Sequence, residues 1–331
     1  MHNEIQQEIE NFAAFLPRIQ EMPLSAFEKE IHARLNGIVA MSDSFPQQRE
    51  SFRQQLFERI ENEIEKGYMN SQMRQKPFGY AGDFRVIDYM YKRIIDTDVE
   101  NGFWDDFCHR QEAGAGVCNR KEFFIRALEE SVRHKGGPIR VLDLASGPCR
   151  DLAEAIDTAG DIAHGSTFHC VDIEPKAIEY AQKVTRPYAQ LVNFRWECAN
   201  VFRFRSDEQY DLVWSAGLFD YLNDRLATAL IAKMWSLTAE GGQMIVGNFH
   251  PSNPTRNYME WCLDWILIHR TEDELRELGI QAGIPADRIT IDREPLGVCI
   301  FLRAQQDLSS DPSTSSPING REFEVRNLNG A

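Results

Sequence analysis

Apolar residues recur at helical spacing through the first part of the chain. Ile5, Ile9, Phe12 and Phe15/Leu16 mark one stripe. Pro23 interrupts the pattern, and Phe27, Ile31 and Leu35 mark a second stripe, with Ser25 placed to cap it. Phe52, Leu56, Ile60 and Ile64 mark a third. Positions three and four apart share one face of a helix, so residues 4–66 are expected to form a small helical bundle. Lys76-Pro-Phe-Gly-Tyr-Ala-Gly-Asp83 is too rich in glycine and aromatics for regular helix. A helix is predicted over 84–95, and an aromatic-rich stretch follows around Phe103, Trp104 and Phe107. Gly114-Ala-Gly-Val117 predicts a break before a helix over 120–134.

From residue 138 the pattern alternates strand and helix. Strands are predicted at 139–144, 167–172, 192–197, 211–215 and 243–248. Helices are predicted at 151–159, 175–185 and 222–237, the last stopped by Gly241-Gly242. Pro175 suits a first helical position, where its missing N–H does no harm. Such alternation implies a parallel sheet covered by helices. Segments 288–291 and 298–303 flank the turn signal Glu294-Pro-Leu-Gly297 and predict an antiparallel hairpin at the sheet edge. The chain thus divides into a helical part (1–120), an α/β part (121–304) and a remainder (305–331). The Ser/Pro-rich run 309–317 cannot bury enough apolar surface to offset its ordering entropy, so that remainder is expected to be a disordered tail.

Composition narrows the function. Of 331 residues, 43% are hydrophobic and 26% charged, the balance of a globular protein, and the formal net charge is −15. A nucleic-acid partner calls for a basic footprint that is missing here, and an acidic surface disfavours anionic membranes. No apolar stretch approaches the ~18 residues of a membrane span, so a cytoplasmic protein without membrane insertion is expected. Seven scattered cysteines with no CxxC argue against a disulfide framework or zinc ribbon, and Cys170 and Cys299 read as buried hydrophobes. The eight histidines show no HxH or HExxH spacing, and no metal site is expected.

The candidate chemistry starts at Val141-Leu-Asp-Leu-Ala-Ser-Gly-Pro148, at the end of the first strand of the alternating region. Ligands bind at the carboxyl ends of strands in such sheets, and Gly147 lets a ligand approach the main chain. Asp143 can accept hydrogen bonds from an ammonium group or loop N–H groups. The dinucleotide fingerprint GxGxxG is absent, so a ligand without phosphates fits better than one with a pyrophosphate. Asp172, ending the next strand, is placed for two ribose hydroxyls, or as a helix cap together with Glu174. Ala199, Asn200 and Val201 follow the next strand, where an amide side chain can read an adenine edge. In Tyr210-Asp-Leu-Val-Trp-Ser-Ala-Gly-Leu-Phe-Asp-Tyr-Leu222, the small residues Ser215 and Ala216 would sit beside the ligand. Asp220 and Tyr221 would lie near the reacting centre, or serve as cap and core contact.

This order of motifs resembles class I S-adenosylmethionine-dependent methyltransferases over residues 138–304. The resemblance implies an α/β Rossmann-like sheet with a terminal antiparallel hairpin, here preceded by a helical N-terminal domain. It implies S-adenosyl-L-methionine as cofactor, with Asp143, Ala145 and Gly147 on the methionine part, Asp172 and Ile173 on the ribose, and Ala199, Asn200 and Val201 on adenine. One departure is Cys149, which stands where the family loop carries its second glycine. Gly79-Tyr-Ala-Gly-Asp83, Ala145-Ser-Gly-Pro-Cys-Arg150 and Ser215-Ala-Gly-Leu-Phe-Asp-Tyr221 are also similar to a bacterial group named for 3-hydroxypalmitic acid methyl ester biosynthesis. That likeness implies methylation of a carboxylate on a small, lipid-like acceptor.

Candidates around the acceptor are Tyr80 and Asp83, Asp220 and Tyr221, and the cluster Asn248, His250, Asn253, Arg256, Tyr258 and Glu260. His250 reads as a base or a loop histidine, and Arg256 as a carboxylate clamp or an ion pair with Glu260. Trp261 and Trp265 are four apart and read as core. Tyr80 sits in a glycine-rich segment of the kind that closes over sites. The acceptor is expected to be a small molecule, and a homodimer is compatible with this reading. The competing functions are a small-molecule N- or hydroxyl O-methyltransferase, a nicotinamide oxidoreductase, and a non-catalytic S-adenosylmethionine-binding module.

Overall fold

The computed structural model describes residues 2–307; from residue 308 onward the predicted tail lies outside the described residues. The first half is helical: α1 (His2–Phe15), α2 (Leu24–Ser42), α3 (Arg49–Arg59), α4 (Glu61–Ile64), α5 (Tyr68–Gln75), α6 (Phe84–Lys92), α7 (Val99–Arg110) and α8 (Glu112–Lys135). The three predicted stripes are buried on α1 to α4. Ser25 does not cap α2. Pro23 holds the cap position, and its carbonyl accepts from Ala26 N at 2.9 Å and Phe27 N at 3.1 Å.

The predicted break at Gly114-Ala-Gly-Val117 is also corrected, because α8 runs unbroken for 24 residues. A Cβ on Gly114 would lie 2.8 Å from the Cys108 carbonyl oxygen, and one on Gly116 would lie 3.3 Å from Val298. These glycines permit close packing rather than ending a helix. The position-120 boundary falls inside α8. Gly116→Leu overfills this contact and is expected to cost about 1–3 kcal/mol, read as a lower denaturant midpoint.

The second half continues with β1 (Arg140–Leu144), α9 (Arg150–Ala159), β2 (Thr167–Asp172), α10 (Pro175–Thr185), β3 (Asn193–Cys198), β4 (Tyr210–Ser215), α11 (Asp224–Leu237), β5 (Thr238–Phe249), α12 (Arg256–Cys262), α13 (Glu272–Gln281), β6 (Ile289–Arg293) and β7 (Cys299–Gln305). The sheet order is β3-β2-β1-β4-β5-β7-β6. Strands β1 to β5 run parallel, and β7 is antiparallel to both β5 and β6. The predicted closing hairpin is present, with β7 inserted between β5 and β6. Gly241-Gly242 lies inside β5, beside a register shift against β4, rather than after a helix end. Chain direction across the sheet reverses between β1 and β4, and the crevice at such a switch point is where open α/β sheets bind ligands.

Helix α8 covers that switch. Phe123 stacks on Phe301 with ring centroids 4.0 Å apart, and Phe124 tilts against Trp214 at 5.0 Å. One apolar core runs without interruption from Ile5 in α1 to Phe301 in β7. Among the described residues, no helix is long and apolar enough to cross a membrane.

Candidate functional site

The loop leaving β1 is unusual in its backbone. Ala145, Gly147 and Cys149 have φ of 56°, 55° and 50°. Left-handed backbone is strained for residues with a Cβ and gathers at functional sites. Cys149 thus holds, with a side chain, a left-handed conformation that glycine adopts most readily. Gly147 N donates to Asp172 Oδ2 and Glu174 N to Asp172 Oδ1, each at 2.9 Å. Asp172 thus ties the β1–α9 loop to the β2–α10 loop, while Glu174 caps α10 by accepting from Lys176 N.

A cavity of about 360 Å³ opens at the carboxyl ends of β1 and β4. Of the predicted ligand-binding residues, Asp143, Ala145, Gly147, Asp172, Ile173 and Ala216 line it. Ser215 does not: it is buried beneath, and its Oγ donates to the Leu144 carbonyl at 2.9 Å, tying β4 to β1. Ala199, Asn200 and Val201 lie outside the cavity, in the turn after β3. Ala199 N donates to the Asp172 carbonyl at 2.9 Å, so this turn sits beside the cavity's Asp172 end. Asn200 Oδ1 accepts from Phe202 N at 2.9 Å, a loop contact.

Tyr80, Asp220 and Tyr221 line the same cavity. His250 and Arg256 do not. Phe249, the last residue of β5, faces the cavity, so its neighbour His250 points away. His250 meets Ser252 Oγ at 2.7 Å and Glu272 at 3.2 Å. Arg256 pairs with Glu260 one turn on, at 2.7 Å. Asp83 caps α6, accepting from Arg85 N and Val86 N, and Tyr258 is core. Trp261 and Trp265 are both buried in the core as expected, and Trp265, beyond the end of α12, also lines the cavity.

The roof comes from both halves of the chain. Trp265 Nε1 donates to Tyr221 Oη at 2.8 Å, and a Cβ on Gly82 would lie 2.7 Å from the Trp265 ring. Asp264 pairs with Lys76 and, at 2.6 Å, with Arg53. Asp88 of α6 accepts from Arg150 Nε at 2.8 Å and Tyr180 Oη at 2.6 Å, fastening α6 to α9 and α10.

Charge is sorted within the cavity. Asp143 is buried with no partner for Oδ2. Burial, reinforced by the charges of Asp151 and Asp172, pushes its carboxyl well above the usual range. Burial raises Asp151 to about 6 and also raises Asp172. Three carboxyls crowded at one end make a place that a cation would relieve. Asp220, buried nearby, is raised to about 7, and its Oδ1 accepts from Phe249 N at 2.7 Å. Asp143, Cys149 and Cys170 bring one carboxylate oxygen and two sulfurs within 4.8 Å of one another. Burial raises both thiols, so they pack as protonated hydrophobes. Sequence reasoning missed Tyr91, Arg120 and Asp151, which also line the cavity. The clue for Arg120 was phase, since it shares the buried stripe of α8 with Val117, Phe124 and Leu128.

This sheet order, with a carboxyl-rich cavity at the switch point, defines a Rossmann-like α/β fold of the methyltransferase type. Residues 141–242 match the methyltransferase domain family. Nodulation protein S of Rhizobium tropici is 27% identical over 133 residues, which cover 38% of this chain and 53% of that protein. The chain thus spans about half the length of the curated relative it matches. A crystal structure described as a possible exported protein from Bordetella parapertussis shares the fold, with a TM-score of 0.57 at 16% identity, over 68% of this chain and 79% of that one. Magnesium protoporphyrin IX methyltransferase from Synechocystis with bound SAH aligns at a TM-score of 0.48 and 14% identity, over 72% of this chain and 100% of that one. The domain match supports S-adenosyl-L-methionine as the cofactor. The orphaned carboxyl oxygen of Asp143 fits such a cationic ligand, and no atom would crowd a Cβ at Gly147, so the loop face there is open.

Proposed function

We propose that this protein is an S-adenosylmethionine-dependent methyltransferase that O-methylates a carboxylate on a small, lipid-like or secondary-metabolite acceptor. The observation that carries this reading is one cavity lined both by carboxyls and by aromatic rings. Asp143, Asp151 and Asp172 line it together with Tyr80, Phe84, Tyr221 and Trp265. The carboxyls suit a cation and the rings an apolar acceptor. When bound, the cofactor supplies a methyl group already activated on a sulfonium. The chain's own task is alignment, which can contribute ~7–11 kcal/mol, and exclusion of water. Asp143 would hold the ammonium group and Asp172 the ribose hydroxyls. Ala199, Asn200 and Val201 would flank adenine beside Ile173, which is 61% exposed at the rim. Residues 1–120 act in this reading as the substrate and lid domain, with Tyr80 and α6 closing the roof. An ionised carboxylate needs no general base. The likeness to the 3-hydroxypalmitic acid methyl ester group supports the same acceptor class. The test is methyl transfer from a tritiated donor to a panel of carboxylic acids: a base-labile labelled product supports the ester, and a base-stable one overturns it.

Asp220 favours a second reading, methylation of a hydroxyl or amine. A carboxyl raised to about 7 inside the cavity is matched to a general base near neutral pH. Protonated below that pH, it cannot accept a proton; ionised above it, it can. A base-dependent rate would therefore rise through about pH 7 and then level off, and Asp220→Asn would remove most of it. Transfer to a carboxylate would be nearly flat from about pH 6 to 9, since the acceptor is ionised throughout. The rate–pH profile of the two proteins checks this.

A further inference from the structure

Among the described residues that line the cavity, Arg120 is the only basic one. It lies on the buried stripe of α8 and is 6% exposed. Its Nε has no partner, its Nη1 makes a long 3.5 Å contact with the Ala216 carbonyl, and the Tyr91 hydroxyl also meets its guanidinium. No carboxylate oxygen among the described residues lies within 4.0 Å of it. The ionisable groups around it are Tyr91, Cys299, Asp220, Asp151 and Tyr221. The backbone beneath is cleared for it, since a Cβ on Gly217 would lie 2.9 Å from Nη1.

Burying a guanidinium without an ion pair is costly, and the cost is offset when a ligand brings the opposite charge. The planar fork of arginine matches a carboxylate with two parallel N–H···O bonds. We propose that Arg120 is the carboxylate anchor of this cavity. The proposal rests on the methyltransferase reading, in which two carboxylates enter the cavity: that of the cofactor's amino-acid end and that of an acid acceptor. Arg120 acts on Asp151, whose neighbour Asp143 has the orphaned oxygen. Anchoring an α-carboxylate at Arg120 and an α-ammonium at Asp143 would read one zwitterion from both sides, so the cofactor is the expected source.

The experiment is calorimetric titration of the full chain and of Arg120→Met with three probes. They are S-adenosylhomocysteine; 5′-methylthioadenosine, which has the nucleoside thioether but no amino-acid end; and decanoate added to protein saturated with S-adenosylhomocysteine. Arg120→Met replaces a buried charge with an apolar chain of similar length, and its melting temperature reports whether the fold is kept. The expected result is S-adenosylhomocysteine binding weakened roughly 10- to 100-fold with methylthioadenosine binding unchanged. Unchanged binding of both nucleosides with loss of decanoate also supports the anchor and assigns it to the acceptor. Gly217→Ala leaves Arg120 present but crowds its fork, and should reproduce the selective loss in milder form. Binding of all three probes at wild-type strength by Arg120→Met overturns the proposal. A wild-type chain that binds neither nucleoside strikes the cofactor reading itself; decanoate titrated into the free chain then tests Arg120, loss of its binding in Arg120→Met supporting the anchor and unchanged binding overturning it. A wild-type chain that binds none of the three overturns both.

Discussion

Asp172→Ala is expected to abolish measurable binding of S-adenosylmethionine and S-adenosylhomocysteine in a calorimetric titration. Each carboxylate oxygen of Asp172 holds one backbone N–H, Gly147 on one loop and Glu174 on the other. Hydrogen bonds to a charged group contribute about 1.5–3 kcal/mol each, so losing both frees the two loops that shape this side of the cavity. The truncation also leaves two loop N–H groups without acceptors and releases a backbone already held at positive φ. Any ribose contact disappears with it. Asp172→Asn keeps one acceptor oxygen and should fall between the two. Wild-type affinity in the alanine variant would sink the assignment of this carboxylate to the cofactor. NADH binding by the wild-type chain would instead revive the oxidoreductase reading that the missing GxGxxG opposes.

Trp214→Ala is expected to destabilise the protein by about 3–5 kcal/mol and to lower the melting temperature by roughly 10 °C. Trp214 is fully buried on the central strand β4, and its ring meets Phe124, Phe123 and Phe301. The same side chain lines the cavity, so truncation merges a packing void with the ligand space. Trp214→Phe keeps part of the stack and should recover about half of the loss, by removing a smaller volume. A thermal melt of the two variants decides it: if alanine costs no more than phenylalanine, the aromatic layer under α8 carries little of the stability.

The two halves of the chain were unequally legible. The bounds of β2 and α10 agree with their sequence reading because each is framed by strong local chemistry: an apolar run ending in Asp172, then a proline at the first helical turn. The inner parallel strands β1, β4 and β5 are largely buried on both faces and so read as short apolar runs. The glycines of α8 misled because glycine signals both chain reversal and close approach. Only the partners Cys108 and Val298, distant in sequence or across a turn, distinguish the two. His250 and Phe249 illustrate a different limit. Either could have faced the cavity, and one residue of strand phase decides which does. That Trp265 also lines the cavity was unreadable because it stands in an irregular segment with no period, held by contacts to residues nearly two hundred positions earlier. Arg120 was within reach of the sequence: a charged residue on a buried helical stripe is itself a signal that something compensates it.

The fastening of the roof bears on how such a protein can change over evolutionary time. Asp264 is held by Arg53 and Lys76, and the Cys262 carbonyl accepts from Arg74 Nη1 at 2.6 Å. The segment that walls the cavity is therefore held from two sides, by the amino-terminal helices and by the end of β5, where Arg270 N donates to the Phe249 carbonyl at 2.9 Å. Exchanging those helices for another set would remove the part of that wall's mounting that Arg53, Arg74 and Lys76 supply. Helices and wall thus form one unit across the start of β1, and recombination there would separate parts built to fit each other.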